Sequence, residues 1–162
     1  SIERELPTTP PLSTRMSDMA ETATEIITID AAPDAVWAIA IDLERYPEWA
    51  RDIKAVTIHE KDEVGRPSQV EFRTSALGRS THYTLQYRYA EEPKQLGWTM
   101  IRGDIQRSID GAFTFIPTPD GKTEVRYDLA IDLVVPLPGF VKRRAEVRIL
   151  NTVRELKVRA EA

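Results

Sequence analysis

The side chains of this chain that could take part in chemistry are mainly aromatic. A buried tyrosine hydroxyl needs a hydrogen-bond partner, so several tyrosines on one inner surface indicate an interior that can hold polar groups of a ligand or water. Helix and strand periodicity predicts one such surface, with these lining residues: Trp37, Trp49, Phe72, Tyr83, Tyr87, Trp98, Phe113, Phe115, Tyr127 and Leu129. An ordinary packed core would use the same residue types, so the set by itself leaves core and cavity open.

Two arginines are the best polar candidates for ligand binding. Arg102 and Arg107 flank a predicted hairpin at Gly103-Asp104 and continue the inner phase of their strands. A buried guanidinium needs an acceptor, so either arginine could bind a carboxylate, a phosphate or a quinone oxygen. Hairpin ends also twist outwards, and the favoured alternative is that both arginines are solvated or pair with Asp104 or Asp110.

No catalytic or metal-binding constellation follows from the remaining polar residues. His59 and His82 are the only histidines, and their spacing supports neither a metal site nor a catalytic triad. Asp110, Asp128 and Asp132 alternate with apolar residues and are interpreted as outward carboxylates. The absence of cysteine excludes a disulfide framework and a thiolate nucleophile. We expect no metal and no cofactor, and the catalytic residues stay unknown.

The elements that position these residues are predicted from periodicity. A Thr- and Ile-rich strand ends at Asp30, and two short helices follow it, with Pro33 near the start of the first and Pro47 ending the second. Period-two alternation then predicts antiparallel strands around residues 53–61, 69–74, 81–89, 96–102, 105–116 and 123–133.

The chain closes with a predicted amphipathic helix over residues 139–162. Its apolar stripe begins with Phe140 and Val141, which we add to the candidate lining residues. Seven basic and two acidic residues lie between Lys142 and Arg159, so this helix could contact anionic lipid or RNA. A solvated back face is favoured, because the apolar stripe is needed to cover the sheet.

Length and charge bound the remaining possibilities. The chain has 162 residues, 41% hydrophobic and 30% charged, with net charge −4. These are globular values, and the negative charge argues against nucleic acid as a partner. We expect a flexible tail over residues 1–20, where three prolines lie among polar residues, and one domain over residues 21–162. The first residues lack the apolar run of a signal peptide, and no segment approaches the length of a membrane span, so we expect a cytoplasmic protein.

The sequence resembles the START-like helix-grip superfamily, in particular its polyketide cyclase/dehydrase and coenzyme Q-binding branch, over residues 22–162. The matching segments are Ala32–Trp37, Asp42–Trp49, Gly111–Phe113, Gly121–Val125 and the terminal helix at Leu156-Lys157. The resemblance implies an α+β fold in which a curved antiparallel β-sheet wraps around a long C-terminal α-helix, with two short helices after the first strand. It also implies an apolar cavity.

Three functions follow as hypotheses. The first is binding of a hydrophobic small molecule, such as a polyketide, an isoprenoid quinone or a lipid, which would enter between Gly139-Phe140 and loops that include Ala76–Arg79. The second is a polyketide cyclase/dehydratase of the aromatase type, whose cavity Tyr and Arg residues polarise a carbonyl. The third is an interaction protein whose basic helix docks on RNA, a ribosome or a membrane. Binding ranks first because no acid/base pair stands out; a transient membrane contact is compatible with it, and the oligomeric state stays open.

Overall fold

The predicted order of strands and short helices is confirmed in the computed structural model, which describes residues 21–76, 78–134 and 151–162. The elements are β1 (Glu21–Ile29), α1 (Pro33–Ile41), a 3₁₀ turn (Leu43–Arg45), α2 (Tyr46–Trp49), β2 (Ile53–Lys61), β3 (Pro67–Ala76), β4 (Arg79–Glu91), β5 (Lys94–Gly103), β6 (Gln106–Pro117) and β7 (Thr123–Leu133), followed by α3, whose described part covers residues 151–161.

The seven strands form one antiparallel sheet in the order β1-β7-β6-β5-β4-β3-β2. Strands β2 to β7 pair with their neighbours in the sequence as a meander, whereas β1 pairs with β7. Tight turns at Gly65 and Gly121 have φ of +87° and +84°, a conformation that glycine adopts without steric cost. Because successive side chains of a strand point to opposite faces, alternate residues share a face. One face of this sheet carries most of the buried apolar side chains.

The two short helices pack on the inner face and are locked to each other. Pro33 lies in the first turn of α1, where its missing N–H costs nothing. Pro47 lies in the first turn of α2, just after the 3₁₀ turn ends, so the prediction that it ends the second helix was wrong. A proline is tolerated in a first turn because its missing N–H has no partner there. The Tyr46 hydroxyl donates a 2.5 Å hydrogen bond to the Ala40 carbonyl oxygen and so joins α2 to α1.

The described part of α3 covers the β1 side of the sheet. Val153 and Leu156 are fully buried. Lys157 Nζ donates to the Thr28 carbonyl oxygen at 2.8 Å, and Arg154 Nη2 lies 2.7 Å from Glu25 Oε1. These contacts hold the helix along the edge strand.

Part of what the sequence predicts falls on other residues. The predicted tail over 1–20, the first half of the long C-terminal helix with Phe140 and Val141, and Leu77 of the proposed entry loop lie outside the described residues. The predicted helix over 139–162 is thus established for residues 151–161 only. Within the described ranges, no helix is long and apolar enough to cross a membrane.

Candidate functional site

The inner face of the sheet carries an aromatic network centred on Trp98. The Trp98 ring centroid lies 5.3 Å from that of Phe113, 6.0 Å from Tyr87 and 6.1 Å from Tyr127. Phe113 and Tyr127 stack at 4.9 Å. All four side chains are buried. Sequence alternation placed each of them on this face, and the structure brings them together.

The network continues to both ends of the site. Towards β3, Tyr87 contacts Phe72, and Phe72 contacts Tyr83 at 5.6 Å. Towards α1, Phe113 contacts Phe115, and Phe115 contacts Trp37 edge-on at 5.6 Å. Eight of the predicted lining aromatics therefore form one continuous set of ring contacts.

Trp49 joins this network through Tyr46, a residue that the sequence did not single out. The Tyr46 ring lies 4.7 Å from Trp49 and 6.3 Å from Phe72. Its position next to Pro47, at the junction of two short helices, was the available signal, because such junctions are commonly fixed by a buried side chain. Leu129, the remaining described lining residue, is buried opposite Gly111 of β6.

Gly111 is the position where Trp98 lies closest to the backbone. The two residues pair across β5 and β6, and a Cβ atom built on Gly111 would lie 2.6 Å from three indole atoms of Trp98. A glycine at this position leaves the space that the Trp98 indole occupies.

The buried phenols stay neutral at physiological pH. Burial raises the pKa of Tyr83 to about 12, and a hydrogen bond with Thr74 offsets this only in part. Burial likewise raises the pKa of Tyr46, Tyr87 and Tyr127 well above the usual value. These hydroxyls act as hydrogen-bond donors or acceptors, and not as bases.

A β-bulge in β5 reverses the predicted orientation of Arg102. Leu85 pairs with Met100, but Thr84 pairs with Arg102, so one extra residue lies in β5 between these pairs. Cross-strand partners share a face, and Thr84 alternates with the inner residues Tyr83 and Leu85. Arg102 is therefore exposed in the outer phase. The prediction that it continues the inner phase was wrong, and the favoured alternative of a solvated arginine agrees with its exposure.

A second bulge in β6 has the same effect on Arg107. Gln106 pairs with Leu133 and Ser108 with Asp132, so Arg107 is the extra residue. Its guanidinium is exposed and lies 3.6 Å from Asp132 Oδ2. Gln106 takes the inward-facing position instead of Arg107 and is only 7% exposed. Sequence alternation did not predict this position.

Gln106 belongs to a small polar cluster at the end of the aromatic network. Gln106 Nε2 donates to Thr81 Oγ1 at 3.0 Å, and the Thr81 hydroxyl donates to Asp104 Oδ1. Asp104 also accepts the backbone N–H groups of His82 at 3.0 Å and Ile105 at 2.6 Å. Thr81 is fully buried, whereas Asp104 reaches solvent.

The histidines lie away from the aromatic network. His59 Nε2 lies 2.8 Å from Glu71 Oε1 on the exposed outer face, and His82 Nδ1 lies 3.9 Å from Asp104 Oδ2. Over residues 21–76, 78–134 and 151–162, no three His, Asp or Glu side chains are grouped closely enough to hold a metal ion. The buried polar side chains of the same residues are threonines and Gln106, none of them charged. The described part of this site can bind and polarise, but its residues include no buried charged acid or base.

Comparison with known proteins agrees with this architecture. The family model described as polyketide cyclase / dehydrase and lipid transport matches residues 19–160. A START superfamily protein from Mycobacterium smegmatis has 26% sequence identity and a TM-score of 0.78, covering 86% of this chain and 97% of its own.

Two further structures are similar in fold. The Zhui aromatase/cyclase from Streptomyces sp. R1128 has 13% identity and a TM-score of 0.74, covering 88% and 94% of the two chains. A major latex-like protein from Panax ginseng has 14% identity and a TM-score of 0.67, covering 89% and 99%. No curated protein matches the sequence.

Proposed function

We propose, since the chain belongs to the polyketide cyclase / dehydrase and lipid transport family, that it binds a hydrophobic small molecule against the inner face of its sheet. The observation that carries this proposal is the continuous aromatic network, whose eight rings come from six elements and whose phenols are neutral. The ligand class is a polyketide, an isoprenoid quinone or a lipid.

The proposal also covers the domain bounds and the location. Residues 21–162 form the binding domain, residues 1–20 are a tail outside it, and the protein acts in the cytoplasm.

Apolar contact alone can supply the affinity. Burial of apolar surface gains about 25 cal/mol per Å², and micromolar affinity corresponds to about 8 kcal/mol. About 330 Å² of buried ligand surface therefore reaches that value before the entropic cost of association is counted. Few polar contacts are required, which agrees with an inner face whose described buried side chains carry no charge.

Native mass spectrometry of the freshly purified protein tests the proposal. A bound mass that organic extraction releases, or micromolar binding of apolar compounds by calorimetry, is the expected result. A protein that purifies empty and binds no member of a panel of quinones, acyl lipids and aromatic polyketides would refute it.

Two neighbouring substitutions on β4 locate the binding face. Tyr87 is buried within the aromatic network, whereas Arg88 is exposed on the opposite face. Tyr87→Ala should weaken binding at least about tenfold, because the ring contacts contribute on the order of 1.5 kcal/mol or more. Arg88→Ala should leave affinity within about twofold. Equal effects of the two variants would place the ligand elsewhere.

A cyclase/dehydratase activity is the second candidate, and the neutral phenols favour it. A tyrosine hydroxyl that stays protonated can donate a hydrogen bond to a carbonyl and stabilise the developing oxyanion of a ring closure. The predicted arginine partner is not available, because Arg102 and Arg107 face outwards. Incubation with a poly-β-ketone substrate, with Tyr83→Phe and Tyr127→Phe as variants, tests this activity. Unchanged cyclisation in both variants would remove the phenols from the mechanism.

A further inference from the structure

One buried acceptor in the polar cluster has no partner. Among the described residues, two buried side-chain atoms lack a hydrogen-bond partner, Trp49 Nε1 and Gln106 Oε1. Gln106 is more than nine-tenths buried. An unpaired buried acceptor destabilises the fold, so it calls for an explanation, and a bound group that donates to it is one.

The direction of the hydrogen bonds fixes which amide atom is free. Burial raises the pKa of the Asp104 carboxyl, but hydrogen bonds from Thr81 and from the His82 and Ile105 N–H groups lower it below the usual value. Asp104 is thus an ionised carboxylate that only accepts. Thr81 must donate its single proton to Asp104, so its oxygen accepts from Gln106 Nε2. The amide cannot be reversed without losing this bond, and Oε1 is left as the free acceptor.

Gln106 Oε1 lies on the inner face, beside the aromatic network. A Cβ atom built on Gly103 would lie 2.7 Å from Oε1 and 2.8 Å from Met100 Sδ. Gly103 pairs directly with Tyr83, the last ring of the network on this side. A ligand that covers Tyr83 and Phe72 therefore ends beside this oxygen.

We propose, resting on the proposed function, that the ligand is a neutral apolar molecule with a hydroxyl or N–H group at one end, which donates to Gln106 Oε1. A carboxylate or an ether oxygen presents no proton to this acceptor. Among the described residues, neither Arg102 nor Arg107 supplies a counter-ion to an anionic end, because both bulges turn these side chains to the outer side. The site selects phenols, enols and alcohols, including a quinol over its quinone, and disfavours fatty acids.

A set of ligands that share one ring system tests this selection in the wild-type protein. We expect 2-naphthol to bind about tenfold more tightly than 2-methoxynaphthalene by calorimetry, the ratio that one net hydrogen bond supplies. Naphthalene, which is smaller and has no donor, should bind as weakly as the ether, and 2-naphthoate should bind more weakly still. Equal affinities for naphthol, ether and naphthalene would overturn the inference while leaving the proposed function intact. Failure of all four to bind would count against both.

Two glutamine variants assign the selection to Gln106. In Gln106→Leu the ratio of naphthol to ether affinity should fall from about ten to about one. Gln95→Leu is the matched control, since Gln95 also donates Nε2 to a threonine hydroxyl but lies exposed on the outer face. It should keep the wild-type ratio. Circular dichroism verifies folding, and Gln106→Met, with an unbranched side chain of similar length, replaces the leucine variant if that one is unfolded. Retention of the tenfold ratio in a folded Gln106 variant would overturn the assignment.

Discussion

Alanine substitutions at two glycines of adjacent strands test the packing of the inner face. The new methyl group of Gly111→Ala would lie 2.6 Å from the Trp98 indole, whereas ordinary contact begins at 3.4 Å, so atoms must move by about 0.8 Å. Trp98 cannot yield easily, because it is 6% exposed and contacts Phe113, Tyr87 and Tyr127. Overpacking of this kind costs about 1–3 kcal/mol.

The backbone partly compensates for this cost. Replacing glycine by alanine in a strand gains about 0.5–1 kcal/mol of conformational entropy. The net loss for Gly111→Ala is therefore up to about 2.5 kcal/mol in the free energy of unfolding, and about 1 kcal/mol at the middle of the two ranges. For a domain of this size a loss of about 1 kcal/mol lowers Tm by about 2–4 °C, and we expect a fall of about that size.

Gly97→Ala is the matched control on the opposite face. Its added Cβ would lie 2.9 Å from Arg88 Nη2, the far end of an exposed and flexible side chain. That guanidinium can swing into solvent, so the entropic gain should remain and Tm should stay constant or rise slightly. Urea and thermal unfolding followed by circular dichroism measure both variants. Equal shifts, or a more stable Gly111→Ala, would refute the position assigned to Trp98.

Three further predictions concern the buried phenols and the covering helix. Burial raises the pKa of all five tyrosines, to about 12 for Tyr83 and Tyr89, so ultraviolet titration of the folded protein should show phenolate only near that pH. Because the tyrosines of the unfolded chain deprotonate near pH 10, their contribution to the free energy of unfolding should be fully present below pH 10 and should be lost from there towards pH 12. A free energy of unfolding that stays flat between pH 10 and pH 12 would contradict the burial. Tyr46→Phe removes a fully buried hydrogen bond and should lower the free energy of unfolding by about 1–2 kcal/mol in urea titrations, more than the half-exposed Tyr89→Phe. On α3, Leu156→Ala should cost about 2–5 kcal/mol and Val158→Ala, at an exposed position, less than about 0.5, and similar losses would mean that the helix presents another face.

Strand alternation was sufficient to predict most of the inner face. In β4 and β7 the period-two pattern is visible within each strand alone. It predicted the inner-face positions that the structure shows for Tyr83, Tyr87, Tyr127 and Leu129. The short helices followed from Pro33 and from apolar spacing in the same local way. These patterns can be recognised in the sequence because each depends on residues that are close along the chain.

The polar end of the site could not be predicted in this way. A bulge is defined by two residues facing one on the partner strand, so it depends on pairing that a single strand does not encode. The alternation of β5 and β6 continues unbroken in the sequence through Arg102 and Arg107, and only the register with Thr84 and Leu133 shows that one residue is extra. The bulge in β6 also turns Gln106 towards the inner face. In the sequence, a polar residue next to a hairpin gives no reason to expect a buried position.

The bulges in β5 and β6 decide which polar groups reach the inner face, and so what chemistry this face can perform. General acid–base catalysis works best with a group whose pKa lies near the operating pH. Here burial raises the pKa of the phenols, to about 12 for Tyr83. The buried polar side-chain groups of the described residues are hydroxyls, indole N–H groups and one amide, and hydrogen bonds hold the carboxylate of Asp104 ionised at the rim. Proton transfer near neutral pH thus has no donor or acceptor of suitable strength among these residues. Hydrogen bonding of a neutral guest and exclusion of water remain, and for that reason we rank binding above catalysis.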